Sequence, residues 1–263
     1  MITAKVRWEA VKQLIEKEAG PVRAAQQISE GRNSEISVII RTDTDTLFVK
    51  GRKTSHPQAW TQERERSINP SLGHISPRLQ WFASDGEWEL LGFEYIPGKH
   101  ADYSPGSPDI PKVTRVLLDL QQVSCPDIEL KRAEQRWATY TETPELFAGA
   151  CLLHTDWTPS NVLVSDRAYL VDWAWPTKGA GWIDPACLAV WLIASGHRPP
   201  VAEAWAAHIP SWKNAPAHAL DEFASVQARM WVDIAAESSE PWKRNLAHAA
   251  RQWAIHRELP HRQ

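Results

Sequence analysis

Residues 152–175 read LLHTDWTPSNVLVSDRAYLVDWAW, and they set four polar side chains among short apolar runs. The runs are short and rich in β-branched residues, which is typical of buried strands. The four polar residues therefore lie at strand ends or in the intervening turn; they are His154, Asp156, Asn161 and Asp172. Each alone has an ordinary explanation, because Asp, Asn, Ser and Pro are common turn formers. The order of the four residues is what sets the stretch apart.

The composition of the 263-residue chain is ordinary for a soluble globular protein, with 43% hydrophobic and 23% charged residues. A formal net charge of −3 gives no support for binding to nucleic acid or to an anionic membrane. Cys125, Cys151 and Cys187 form no Cys-x-x-Cys pair, which argues against a disulfide framework or a zinc site. The first twenty residues lack an apolar signal core, so we expect an unexported protein in a reducing cytoplasm.

A strand-rich first third precedes a helix-rich remainder. A helix is predicted from Ile2 to about Ala19, where Gly20-Pro21 ends it, and another over residues 60–69. Antiparallel strands are predicted over residues 24–28, 36–40, 46–49, 79–82 and 88–91, with Asp85-Gly86 as the turn of the last pair. Helices are predicted over residues 113–123, 184–194, 202–207, 220–236 and 242–259. We therefore predict two domains, 1–97 and 98–263.

The order His-x-Asp-x-x-x-x-Asn, followed after a short hairpin by Asp172, resembles the catalytic loop and metal-binding Asp of kinase-like phosphotransferases. Thr155 stands where protein kinases carry Arg, and Asp172-Trp173-Ala174 replaces Asp-Phe-Gly. Both differences make the chain more similar to the aminoglycoside phosphotransferase family. The resemblance implies an α+β, two-lobed protein-kinase-like fold. Its strand-rich N-terminal lobe would bind the nucleotide, and its helical C-terminal lobe would hold the catalytic loop and the acceptor site.

The resemblance also implies roles for the polar residues of the loop. Phosphoryl transfer needs a carboxylate beside the acceptor hydroxyl and oxygen ligands that hold magnesium against the phosphates. Asp156 would be the catalytic carboxylate, and Asn161 and Asp172 the Mg²⁺ ligands. His154 would fix the loop by packing and hydrogen bonding. Asp184, just before an apolar helix, is interpreted as the N-cap of that helix, and the resemblance implies that it also braces the loop through its backbone.

Two charged anchors for the nucleotide are expected upstream. Lys50 ends the run LFVK much as the kinase lysine ends V-A-I-K, although a lone lysine is usually a solvated charge. Its partner is expected on the following helix, where Glu65 is favoured over Glu63 because Ile68 and Asn69 follow it as in the family. Taken alone, both glutamates would be an exposed helix face.

Backbone groups would complete the nucleotide site. The loop of residues 30–34, with Asn33 and Ser34, would cover the phosphates through its N–H groups. Glu94 and Ile96 belong to a segment that resembles the one whose main chain meets the adenine edge. Such main-chain roles depend little on side-chain identity.

The function that the resemblance implies is an O-phosphotransferase that uses ATP or GTP with Mg²⁺. Its acceptor would be the hydroxyl of an aminoglycoside-like antibiotic, giving resistance, or of a metabolite such as a nucleoside, amino alcohol or sugar. A polycation would need carboxylates, and the helical part offers Asp221, Glu222, Asp233, Glu237 and Glu240. Three tryptophans near the catalytic groups could instead present a ring face to an apolar or cationic acceptor: Trp157, Trp173 and Trp175.

Two alternatives belong to other functional classes. A catalytically silent kinase-like binding module would usually have lost one of the four central residues, yet Lys50, Asp156, Asn161 and Asp172 are all present. A metal hydrolase could draw on the ten histidines, but their spacing forms no His-Glu-x-x-His or comparable ligand set.

Overall fold

The computed structural model describes residues 4–28 and 34–258. The architecture is α+β, as predicted. It forms two compact units: the first is Met1–Pro97 with Val171–Ala174, and the second is Gly98–Leu170 with Trp175–Gln263. The short segment around Asp172 therefore belongs with the N-terminal strands.

The first unit is built on a five-stranded antiparallel sheet with the strand order β1-β2-β3-β5-β4. Its elements are α1 (Ala4–Ala19), β1 (Ala24–Gln27), β2 (Ile36–Arg41), β3 (Thr46–Lys53), α2 (Trp60–Leu72), β4 (Leu79–Ser84) and β5 (Trp88–Glu94). The predicted meander and the hairpin at Asp85-Gly86 are confirmed. The predicted start of α1 at Ile2 lies outside the described residues.

The two faces of this sheet carry different side chains. Val11 and Ile15 of α1 pack in a buried cluster with Leu47 and Val49 of β3. Because successive residues of a strand point to opposite faces, Lys50 and Arg52 face the other side, where both contact α2 or the loop before it. The apolar face stabilises the sheet and leaves the opposite face for charged groups.

The second unit combines helices with two three-stranded sheets, β10-β9-β6 and β7-β11-β8. Its strands are β6 (Lys99–His100), β7 (Lys131–Arg132), β8 (Cys151–Leu153), β9 (Val162–Val164), β10 (Ala168–Leu170) and β11 (Thr177–Gly179). Its helices are α3 (Asp109–Leu120), α4 (Ala133–Arg136), α5 (Ile183–Ala194), α6 (Pro199–Ala206), α7 (Pro210–Lys213), α8 (Ala217–Ala236) and α9 (Pro241–Glu258). Strands β3 and β9 lie in separate sheets, as the two-domain prediction requires.

Some boundaries differ from the predicted ones. Helix α3 begins four residues before the predicted start and ends at Leu120, because the segment after it forms a turn. Strands β6, β7 and β11 were not predicted, because each has only two or three residues and is too short for a periodic pattern. Among the described helices, none is long and apolar enough to cross a membrane.

Candidate active site

Lys50 is the centre of an ion cluster in the first unit. It lies within β3, which continues four residues beyond the predicted strand 46–49. Its Nζ contacts Oε2 of Glu65 and lies 3.2 Å from Oδ1 of Asp172. Lys50 and Glu65 are only 8% and 5% exposed, so the pair is shielded from water. One ammonium thus joins a strand, a helix and a segment 122 residues downstream.

The protonation of this cluster follows from its burial and its charges. Burial lowers the pKa of Lys50, but the carboxylates of Asp172 and Glu65 outweigh that effect and raise the pKa above its ordinary value. Burial raises the pKa of Glu65, and Lys50 and the backbone N–H of Trp173 offset only part of the increase. Lys50 is therefore a firmly held cation at neutral pH.

The phase of α2 decides between the two candidate glutamates. Glu65 lies on the buried face of the helix and contacts Lys50. Glu63 points outward, where its carboxylate accepts hydrogen bonds from Arg66 Nε at 2.9 Å and Ser67 Oγ at 3.0 Å. The contact with Lys50 belongs to Glu65.

Arg52, which the sequence prediction missed, makes a second contact between β3 and the region of α2. Its Nη1 donates to the carbonyl of Gln58 at 2.7 Å and to Oγ1 of Thr61 at 3.2 Å. Thr61 lies one helical turn before Glu65, on the same face of α2. Arg52 lies two residues after Lys50, on the same face of β3. The Lys-x-Arg spacing directly after the predicted strand 46–49 was the available signal.

The loop around Asp156 is held by a carboxylate from α5 in the second unit. Oδ2 of Asp184 accepts from the backbone N–H of His154 at 2.8 Å, and its Oδ1 accepts from that of Thr155 at 2.8 Å. Burial raises the pKa of Asp184, and these backbone donors offset part of the increase. The interpretation of Asp184 as an N-cap is wrong, because the N-cap residue of α5 is Trp182 and Asp184 lies in the first turn.

Hydrogen bonds inside the loop orient its polar side chains. The backbone N–H of Asp156 donates to Nδ1 of His154 at 3.3 Å, so this nitrogen acts as an acceptor. Nδ2 of Asn161 donates to the carbonyl of Asp156 at 3.4 Å, which leaves the amide oxygen of Asn161 for another partner. Oδ1 of Asp156 accepts from the backbone N–H of Thr158 at 3.4 Å.

Thr155 and Asp172 have left-handed backbones, with φ of 67° and 61°. Among the described residues they are the only non-glycine residues with positive φ. Such a conformation costs on the order of 1–3 kcal/mol and persists where surrounding contacts over-determine it. Thr155 directly precedes the predicted catalytic residue Asp156, and Asp172 is itself a predicted metal ligand. The backbone strain therefore occurs at predicted site residues.

The backbone groups assigned to the nucleotide lie in the first unit. Asn33 lies outside the described residues, and Ser34 directly precedes the bend that leads into β2. Glu94 ends β5, where its N–H donates to the carbonyl of Arg78 at 2.9 Å. Ile96 follows the end of the strand and is half-buried. Their roles toward a nucleotide stay predictions.

The tryptophans and acidic residues considered for acceptor binding are mostly engaged elsewhere. Trp157 and Trp173 are 0% and 1% exposed, so both rings are core residues and present no open face, contrary to the expectation. Trp175 is half-buried. Two of the helical carboxylates are paired with arginines: Asp221 with Arg257 at 2.7 Å and Glu222 with Arg229 at 3.0 Å.

The predicted metal ligands are oxygen donors. The amide oxygen of Asn161 and the carboxylate of Asp172 are hard oxygen ligands of the kind that Mg²⁺ takes, together with phosphates and water. Among the described residues, no group of three or more His, Cys, Asp or Glu side chains could hold a metal ion. Each of the two side chains is a donor of the kind that a magnesium–nucleotide complex uses, and their role as metal ligands stays a prediction.

The chain is similar to known proteins in structure but not detectably in sequence. No protein-family model matches it, and no curated protein sequence does. The structure of choline kinase LicA from Streptococcus pneumoniae is similar at a TM-score of 0.64 and 14% identity, over 95% of this chain and 99% of that one. Aminoglycoside phosphotransferase APH(4)-Ia is similar at 0.60 and 12%, over 94% and 99%. The chain shares the fold of these phosphotransferases. The predicted kinase-like fold is thereby confirmed.

LicA and APH(4)-Ia have also been solved with ligands. The LicA complex contains AMP and matches at a TM-score of 0.61 and 15% identity, over 96% of this chain and 98% of that one. A ternary complex of APH(4)-Ia contains AMP-PNP and hygromycin B and matches at 0.58 and 14%, over 93% and 99%. At such low sequence identities, the structural similarity to these proteins establishes only the fold of the chain.

Proposed function

We propose that the chain is a nucleotide-dependent phosphotransferase that acts on a hydroxyl group of a small molecule. The observation that carries the proposal is the buried ammonium of Lys50, held by Glu65 and Asp172. A buried ion pair contributes little net stability, because desolvation offsets the attraction. Retaining such a cluster fits a functional role better than a structural one. The ligands in the LicA and APH(4)-Ia structures agree with a nucleotide and a small acceptor.

Lys50 would meet the phosphates of ATP or GTP, and Glu65 would hold its ammonium in place. Asp172 and Asn161 would be the protein ligands of Mg²⁺, which when bound neutralises negative charge on the phosphates. Glu94 and Ile96 would meet the base through their main chain, and Asn33 and Ser34 would lie along the phosphates. Which base is preferred depends on these backbone contacts, so both nucleotides belong in the test.

Asp156 would accept a hydrogen bond from the acceptor hydroxyl and orient its oxygen toward the γ-phosphorus. The new bond forms between that oxygen and the γ-phosphorus, and the bond from the γ-phosphorus to the β,γ-bridging oxygen breaks. The hydroxyl proton passes to Asp156, and the products are a phosphate ester and a nucleoside diphosphate. His154 and Asp184 hold the loop through the bonds described above.

The acceptor is proposed to be a small alcohol of metabolism rather than a polycation. Of the five carboxylates considered for an aminoglycoside, Asp221 and Glu222 are neutralised by arginines, and Glu240 accepts from the indole N–H of Trp242 at 3.1 Å. A polycation gains most from carboxylates without such partners. Sugars, nucleosides and amino alcohols make no comparable demand on the charge of this surface.

A screen of the purified chain tests the proposal. ATP and GTP are supplied with Mg²⁺, and nucleoside diphosphate release is followed with panels of sugars, nucleosides, amino alcohols and aminoglycosides. The Asp156→Asn variant is the matched control. Acceptor-dependent release that this variant loses supports the proposal. Nucleotide binding without turnover for any acceptor would favour the silent binding module, and no nucleotide binding at all would overturn the proposal.

A further inference from the structure

Arg136 is brought to the loop around Asp156 from a distant part of the sequence. It ends the short helix α4, and its Nη1 donates to the carbonyl of Trp175 at 3.3 Å and to Oγ1 of Thr177 at 3.1 Å. The same carbonyl accepts from Oγ1 of Thr155 at 3.3 Å. A single backbone oxygen therefore connects Arg136 to the residue that precedes Asp156.

The surroundings of this guanidinium are aromatic and negatively charged. It lies 5.3 Å from the ring centroid of Trp137 and 5.9 Å from that of Trp175. Burial lowers the pKa of Arg136, and electrostatic interactions with Cys187, Asp156 and Asp184 offset part of that effect. An arginine side chain nevertheless stays protonated in proteins. Arg136 is thus a fixed cation near Asp156 of the loop and Asp184 of α5.

The backbone of Thr155 explains why such a support is needed. Its φ of 67° is strained for a β-branched residue, so several contacts must hold it. Asp184 accepts from its N–H, and the carbonyl of Trp175 accepts from its hydroxyl. That carbonyl also accepts from Nη1 of Arg136 at 3.3 Å and from Oγ1 of Thr177 at 3.1 Å, and the bond from Arg136 is the charge-assisted one.

We propose that Arg136 is a positioning residue for phosphoryl transfer: it sets the conformation of residues 154–156 through the carbonyl of Trp175. In the sequence, Thr155 occupies the place where protein kinases carry Arg, and here a cation reaches the loop from α4 instead. Lysine cannot replace it fully, because its ammonium lacks the planar guanidinium that lies near the rings of Trp137 and Trp175. This inference rests on the proposed function.

The test compares Arg136→Gln with Arg132→Gln, which removes the same charge four residues earlier, where Arg132 is exposed and pairs with Glu134. Arg136→Gln should lower kcat by on the order of 10- to 100-fold, since a misplaced catalytic group costs that much. Its Mg-nucleotide affinity, measured by calorimetry, should equal that of the parent. Arg132→Gln should match the parent in both.

A double-mutant cycle separates positioning from general loss of structure. Thr155→Val removes only the hydroxyl that shares the Trp175 carbonyl and keeps the β-branched shape. If Arg136 acts through that carbonyl, the double variant should lose little more kcat than the more damaged single variant, because both changes break one connection. The inference would be overturned if the kcat loss of the double variant equalled the product of the two single losses. It would also be overturned if Arg136→Gln had the kcat of the parent.

Two further outcomes are distinguishable. Should Arg136→Gln melt well below the parent, Arg136→Lys takes its place, and a reduced kcat with unchanged nucleotide affinity is again expected. A parent without phosphotransfer to any acceptor contradicts the proposed function itself. An active parent with an unaffected Arg136→Lys variant contradicts only the role of Arg136.

Discussion

The ammonium of Lys50 lies 3.2 Å from the carboxylate of Asp172, although 122 residues separate the two in the chain. The same ammonium contacts Glu65, so one cation is shared by two carboxylates. If the proposed function holds, a phosphate that approaches Lys50 would also meet these two carboxylates, and a divalent cation would then be needed to offset the repulsion. Variants of the three residues should therefore differ in how they respond to magnesium.

Lys50→Ala should weaken Mg-nucleotide binding about 10-fold or more, because a hydrogen bond between charged groups is worth roughly 1.5–3 kcal/mol. Glu65→Ala should weaken it less, since Glu65 orients the lysine and does not meet the phosphates. Calorimetric titration measures both effects. Lys53→Ala is the control, because that lysine lies on the same strand but pairs with Glu87. Unchanged kinetics and affinity in Lys50→Ala would exclude the proposed nucleotide role of this strand.

Asp156→Asn should nearly abolish turnover and leave Mg-nucleotide affinity close to that of the parent. The amide cannot accept the hydroxyl proton, and Asp156 is not assigned to the metal. Initial rates with an acceptor found by screening, combined with calorimetry, show the separation. Normal turnover in this variant would mean that another group orients the acceptor.

Asp172→Asn should damage magnesium-dependent binding and turnover together. Asparagine tolerates the left-handed backbone at this position, with φ of 61°, so the substitution removes charge without adding backbone strain. A neutral amide cannot replace the charge that the cation requires. Nucleotide affinity is measured over a range of magnesium concentrations. An affinity that still rises with magnesium as in the parent would count against Asp172 as a metal ligand.

The pH dependence of stability should show the raised pKa of Lys50. A lysine whose folded pKa lies above its unfolded value of 10.5 contributes stability that is fully present below that value. The contribution is lost as the pH rises through the folded pKa. The difference in unfolding free energy between the parent and Lys50→Met should thus be constant from neutral pH to about 10 and shrink above it. A difference that shrinks already between pH 7 and 9 would contradict this prediction.

Periodicity in the sequence was sufficient to predict the sheet of the first unit and the longer helices. Val11 and Ile15 mark one face of α1. Alternation along β3 places Val49 on one face of the sheet and Lys50 on the other. The pairing of Lys50 with Glu65 rather than Glu63 depended on helix phase, which local context indicated correctly.

What the sequence could not show depends on contacts between remote segments. Arg136 reaches Trp175 across 39 residues, and no local pattern marks either one. Trp157 and Trp173 adjoin the polar residues in the sequence, yet their large apolar rings are drawn into the core, where burial is most favourable. Residues that are adjacent in the sequence therefore did not all have a role in the candidate site.

The bonds from His154 and Thr155 to Asp184 also bear on how the chain folds. The two amides meet their acceptor 30 and 29 residues downstream, on a helix that is buried along most of its length. The loop thus gains its native conformation only after α5 has docked. During refolding, far-ultraviolet circular dichroism should recover before phosphotransfer does, and simultaneous recovery would contradict this order. A nascent chain that ends before α5 would contain every residue of the 152–175 stretch and still lack an ordered loop.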